Sequence, residues 1–297
     1  MPMLPEYWND PILTVAVPLF VVSFTLEGIF ITRHLKKEYN IKDAVASVTM
    51  GIGSAFINLA LKIPVFFSFM WLYEHRIFEI PATWWAFLLL FFADDFSFYL
   101  HHRACHGMRI FWAAHVNHHS SVNYNLAVAL RQSWGELFHK YIWWIWLPLL
   151  GFHPIWIFTM MSISLVYQYI LHTELVKKLG PIEWIFNTPS HHRVHHASNV
   201  RYLDKNHAGI LIIWDRLFGT FLPENKAEKV IYGITSNIET YNPIEIATHE
   251  YRSLWKDVKR APGFLNKIKY LIMPPGWSHD GHTKTSKQLQ KEAGFIS

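Results

Sequence analysis

The chain has a single cysteine, Cys105, in 297 residues, which excludes any intrachain disulfide framework. It is also poor in charge: Asp, Glu, Lys and Arg make up 16% of the residues, against roughly 25% in soluble domains. With 51% hydrophobic residues, that shortage excludes an ordinary soluble globule and indicates an integral membrane protein. No block of like charge occurs. The net charge of +5 is scattered among aromatic and apolar stretches, so it reads as positive-inside bias and headgroup contact, and no nucleic-acid partner is expected. An H-E-x-x-H motif, an internal repeat and a low-complexity linker are all missing. The opening MPMLPEYWNDP holds no basic residue, so the first apolar run is expected to be a retained anchor and not a cleaved signal.

Four apolar runs are present. Residues 11–32 are long enough to cross a bilayer, and Arg33, Lys36 and Lys37 follow them, against Glu6 and Asp10 before. That asymmetry places the N-terminus outside and the loop after the first run in the cytoplasm. Residues 44–73 fit one tilted or kinked span, interrupted by Lys62 and Pro64. Residues 82–100 fit a third span, with Trp84 and Trp85 at its start and the costly carboxylates Asp94 and Asp95 inside it. Residues 141–171 are broken by Gly151-Phe152-His153-Pro154, a turn signal. They read as a hairpin too short for two full crossings. Beyond Pro223 the chain turns polar, and residues 245–260 read as an amphipathic helix. The expectation is an all-α integral membrane protein with about four to five membrane-embedded helices, one pair forming a hairpin, and a cytoplasmic helical cap.

What the sequence has in excess is histidine, 19 in all. Residues 101–119, HHRACHGMRIFWAAHVNHH, contain six of them. His102 and His106 form H-x-x-x-H; His115, His118 and His119 form H-x-x-H-H; His192, His195 and His196 repeat that triplet downstream. Side chains three and four apart share a helix face, so each group is expected to aim its imidazoles at a common point. Neutral imidazole suits iron and zinc, and eight ligands are too many for one ion but fit two. The hairpin returns His172 to the same membrane face as the clusters, which makes it a ninth candidate ligand. His101 should point away from the shared face, and Cys105 reads as a packed thiol. His139 and His207 read as ordinary histidines, and Glu136-x-x-His139 as a coincidence, because soluble di-iron proteins need that motif twice. Partners that orient the imidazoles are sought among Asp95, Asn123, Asn125, Gln132, Asn187, His191, Asn199, Asp204 and Asn206.

The stretches DDFSFYLHHRACH, WAAHVNHHSS and HHRVHH together resemble the fatty acid hydroxylase / sterol desaturase superfamily of membrane di-iron, histidine-box enzymes. HHSSVNYNLAVALRQS, FNTPSHHRVHHASN and LIIWDRLFGTF are most similar to its alkylglycerol monooxygenase-like and bacterial sterol-desaturase-like branch. The resemblance implies that His102, His106, His115, His118, His119, His192, His195 and His196, with His172 added, hold two iron ions. Zinc is able to stand in for them. It further implies hydroxylation or desaturation of a fatty acyl, sterol or ether lipid by dioxygen, with electrons from a donor in trans, either a protein or a reduced pterin. Residues 1–80 would be anchor helices, 81–225 the catalytic domain and 226–297 a tail packing on the cap. The site is expected on the cytoplasmic face of a bacterial inner membrane or the endoplasmic reticulum. A zinc hydrolase lacks its general-base motif here, and a metal transporter would carry its ligands in mid-span.

Overall fold

The computed structural model describes residues 10–296. Among these residues all extended regular structure is helical; only isolated bridges pair Phe186 with Leu211 and Ala197 with Tyr232. The all-α expectation holds.

Helix α1 (Pro11–Arg33) starts where Asp10 accepts from the Ile12 and Leu13 amides and Pro11 fills the first helical position. Helix α2 (Ile41–Glu74) starts at Asn40, whose side chain accepts from the Asp43 amide. Both are long and apolar enough to cross a membrane, with Pro18 and Pro64 tolerated inside them. Only 17% and 11% of their most apolar windows are buried. Val15, Leu19, Ile52 and Phe56 therefore point outward, as bilayer-facing side chains do.

Helix α3 (Trp84–Gly107) ends where Met108 turns extended, and the chain enters α4 (Arg109–His119) at once. Residues 120–136 wrap round the end of α4 with a single short turn, Val128–Leu130. The hairpin follows. Its first limb is broken into α5 (Leu137–Lys140), a turn at Tyr141–Trp144 and α6 (Trp146–Leu150). Its second limb is α7 (Pro154–Ile170), 17 residues long and so under one crossing of roughly 20 residues. Gly151 makes the bend at φ 116°, where a Cβ would strike the Phe78 carbonyl. Trp144, Leu147, Ile157, Phe66, Phe69 and Leu90 knit the hairpin to α2 and α3.

Helix α8 (Pro189–His195) and its C-cap His196 carry the last histidine triplet, and α9 (Ile213–Leu217) follows. The expected amphipathic helix is α10 (Pro243–Arg260), succeeded by α11 (Gly263–Ile272) and α12 (Ser286–Glu292). Helix α10 lies against α4: Arg109 pairs with Glu250 at 2.8 Å and Asp257 at 2.7 Å, and Leu254 packs with Ala113. In α12, Gln290 donates to the carbonyls of Val200 and Leu203.

Carboxylates within the apolar helices pin the histidine-bearing loops. Glu27 of α1, buried, accepts from the Leu126 amide at 2.6 Å and the Thr173 hydroxyl at 2.5 Å. Asp43 of α2 pairs with Arg131 at 3.2 Å and accepts from Ser121 Oγ. Asp94 accepts from Trp144 Nε1, and Asp95 from the amides of Ile210 and Leu211 and from Trp214 Nε1. Glu27, Asp94 and Asp95 satisfy buried donors that would otherwise lack partners, and Asp43 gives the buried Arg131 its counter-charge.

Candidate metal centre

Nine histidines converge, in two adjoining groups. His102, His106, His115, His119 and His195 bring ring nitrogens within 4.8 Å of one another, and His118, His172, His192 and His196 do the same. The split corrects the expectation that each triplet meets at one point. His115 and His119, one turn apart, serve the first group while His118, displaced round the helix, serves the second. The downstream triplet mirrors this, with His192 and His196 in the second group and His195 in the first.

Outer contacts fix the tautomers. His102 Nδ1 lies 2.7 Å from the His207 carbonyl, His172 Nδ1 2.9 Å from the Gln168 carbonyl, and His195 Nδ1 3.0 Å from the Lys205 carbonyl. A carbonyl only accepts, so each of these nitrogens carries the hydrogen, and each neutral ring turns a bare Nε2 lone pair inward. His115 Nδ1 is similarly placed on the Glu136 carboxylate at 3.1 Å, and His106 Nδ1 on Asp204 at 3.3 Å. Inside, His102 Nε2 faces His115 Nε2 at 2.9 Å and His119 Nε2 lies 3.2 Å from the latter. His172 Nε2 sits 3.1 Å from the Nε2 atoms of both His118 and His192. Lone pairs opposed at such distances repel. The same spacing is natural for adjacent ligands on one ion: nitrogens about 2.1 Å from a metal are about 3.0 Å apart at octahedral angles. The residues therefore fit two cations, one per group.

The donors are neutral imidazoles, so the compensating charge comes from outside. Glu136 and Asp204 supply it through the outer nitrogens of His115 and His106. Burial alone would raise the Glu136 carboxyl, but the hydrogen bond to His115 Nδ1, with the Lys140 ammonium nearby, holds it well below its usual range. Glu136→Gln should weaken metal binding by roughly 10–100-fold, measured by metal titration of the purified chain, because the outer partner loses its charge while keeping its shape.

Burial lowers the pKa of His172 to about 4 and that of His191 to about 4. It pushes His102, His118, His119, His192, His195 and His196 well below 6.5. An unfolded chain takes up these protons first as the pH falls. Stability from these groups is thus complete above about 6.5 and declines between about 6.5 and 4. The apparent melting temperature in detergent should be flat above neutrality and drop across that window.

Of the orienting partners expected from sequence, Asp204 meets a ring nitrogen. Asp95 and Asn187 hold the 208–214 loop; Asn187 donates to the Ala208 and Gly209 carbonyls. Asn125 caps the Ala127 amide, Gln132 donates to the Ala129 carbonyl, and Asn123 closes a turn with Ser121. Asn199 braces Lys229 and Ile231, Asn206 ties His191 to Leu222, and His191 packs on Phe221. His207, expected to be ordinary, is buried, with its ring 4.9 Å from that of His106. Glu136, read as half of a coincidental motif, is a direct partner of His115. The remaining partners are main-chain carbonyls, which no residue pattern reveals. His101 stands outside both groups.

Two buried all-imidazole donor groups beside apolar helices are the arrangement of a membrane-associated, metal-binding protein. The fatty acid hydroxylase family model matches residues 87–220, so the chain carries a fatty acid hydroxylase domain. It is 40% identical over 260 residues to alkylglycerol monooxygenase of Homo sapiens, covering 86% of this chain and 56% of that protein. Alkylglycerol monooxygenase of Danio rerio is 39% identical over 284 residues, 93% of this chain and 60% of the relative. Ornithine lipid hydroxylase OlsE of Rhizobium tropici is 30% identical over 146 residues, 48% of this chain and 44% of that one. The chain thus spans little more than half the length of these alkylglycerol monooxygenases. No solved structure matches.

Proposed function

We propose that the chain is a membrane-bound dinuclear-iron oxygenase that hydroxylates a lipid, using dioxygen and electrons delivered from outside the chain by a protein or a reduced pterin. The observation that carries this reading is the pair of opposed lone-pair clusters, five imidazoles beside four, buried where apolar helices end. In this reading His102, His106, His115, His119 and His195 hold one iron, and His118, His172, His192 and His196 the other. The names of the relatives favour hydroxylation over desaturation and an ether-linked glycerol lipid as substrate; ornithine lipid hydroxylase shows the chemistry extending to another lipid head.

When bound, such a centre supplies dioxygen activation and attack on an unactivated C–H bond. The protein's share is orientation and dryness. Carbonyl and carboxylate partners hold His102, His106, His115, His172 and His195 in a single tautomer, so none of these rings need lose a proton on loading. Trp112 lies against His106 and His119 with ring centroids 5.0 and 5.6 Å away. Tyr124 covers His196 at 5.3 Å and donates to the Leu171 carbonyl. Both exclude water from the reacting volume.

Residues 1–80 serve as anchor, 81–225 as catalytic domain and 226–297 as a tail on a cytoplasmic cap. Helices α1, α2 and α3 cross the bilayer, and α6 and α7 dip into it from the cytoplasmic side. Arg33, Lys36 and Lys37 between α1 and α2 support that orientation, in a bacterial inner membrane or the endoplasmic reticulum. The test is iron and zinc per chain after anaerobic purification from iron-supplemented cells, followed by turnover of alkylglycerol in membranes. Two irons and an oxidised lipid product are expected. Tightly held zinc that iron cannot replace with gain of turnover would overturn the assignment.

A further inference from the structure

The turn of α3 that presents His102 and His106 also presents His101 and Cys105, one residue earlier in each case and so rotated to the neighbouring face. There they meet His139 from α5. One donor atom from each of the three lies within 4.8 Å of the others. His101 is 1% exposed and Cys105 fully buried. His101 Nδ1 and both ring nitrogens of His139 are buried with no hydrogen-bond partner. A neutral His139 ring keeps one nitrogen as a bare acceptor with no donor in reach, which is costly unless a cation fills the gap between it, the thiol and His101 Nε2. Cys105 Sγ lies 3.5 Å from His101 Nε2. Sulfur at 2.3 Å and nitrogen at about 2.05 Å from a tetrahedral zinc would be about 3.6 Å apart.

We propose that Cys105, His101 and His139 form a third metal site, separate from the two imidazole groups, that takes one thiophilic cation, zinc(II). The thiol proton leaves to solvent as the sulfur–zinc bond forms, and two neutral imidazoles complete a three-ligand set with one coordination position left open. A thiolate selects zinc where the all-nitrogen groups accept iron. Phe111 stacks on His139 at 4.5 Å, and Trp144 flanks His101 at 5.9 Å, so the site is walled by aromatics. Glu136 joins it to the main centre: one carboxylate oxygen is 3.1 Å from His115 Nδ1 and the other 3.7 Å from His101 Nε2. The bound zinc would therefore help fix the carboxylate that orients His115. This site does not depend on which metal or reaction the imidazole groups support.

Cobalt(II) titration of the metal-stripped full chain in detergent, without oxygen, is the test. Cobalt on imidazoles shows d–d absorption only, whereas cobalt on a thiolate adds a near-ultraviolet charge-transfer band. Cys105 is the sole cysteine, so any such band reports this site. The band is expected in the native chain, saturating at one thiolate per chain and bleached by added zinc. It should vanish in Cys105→Ser and weaken in His139→Ala, with the imidazole d–d bands retained. A native chain without the band overturns the third site, whether or not d–d bands are seen. Their absence counts instead against the dinuclear centre, so the two failures are told apart. The native chain alone decides the matter if a variant misfolds.

Discussion

Replacing His118 with alanine should abolish lipid oxidation and bring bound iron down to about one per chain, because its group falls from four imidazoles to three. The loss should exceed the roughly 10–100-fold typical of removing an outer partner. His195→Ala takes the other group from five imidazoles to four, so it should retain more metal while still eliminating turnover. Measuring iron and product together separates the cases. Full turnover in either variant would mean that the imidazoles are not the working ligands. The comparison also tests the division between the two groups, which box order does not predict.

Arg131→Met should be the most damaging change away from the histidines, at about 3–5 kcal/mol, because it strands a buried Asp43 carboxylate without its cation. Arg131 is 1% exposed and holds Asp43 at 3.2 Å, the Asn117 carbonyl at 3.1 Å and Ser120 Oγ at 3.0 Å. Those last two contacts lie at the end of α4, beside His118 and His119, so metal content should fall along with stability. Adding Asp43→Asn should recover much of the loss, since an amide keeps an acceptor for Ser121 Oγ and removes the stranded charge. Denaturation midpoints and expression yield for the single and double variants measure the coupling. Additive effects would show that the pair is not the cause.

The first two long apolar helices, the nine converging histidines and the amphipathic helix were legible because each is a periodic or compositional signal. Residues 11–32 became Pro11–Arg33, and residues 245–260 became Pro243–Arg260. Sorting the histidines into two groups was not legible, because it depends on how α4 and α8 are rolled against each other. Nor were the orienting partners: His102, His172 and His195 use carbonyls, which every residue possesses. Glu27 and Asp43 were hidden differently. A carboxylate in an apolar run signals cost and buried purpose, but its partner lies some hundred residues away, at Leu126 and Thr173 in one case and Arg131 in the other. Asp94 and Asp95 drew attention by position, yet they bind indole and amide hydrogens and no basic residue.

These long-range carboxylates bear on how the enzyme is made. Residues 120–131 borrow their acceptors from α1 and α2, so that segment completes its buried contacts only when those two helices are in place. Trimming the chain to residues 87–220 would delete Glu27 and Asp43, leaving the Leu126 amide without its acceptor and the buried Arg131 guanidinium without its counter-charge. Helices α1 and α2 are therefore part of the assembly jig for residues 120–131, and metal loading should fail in a chain that lacks them.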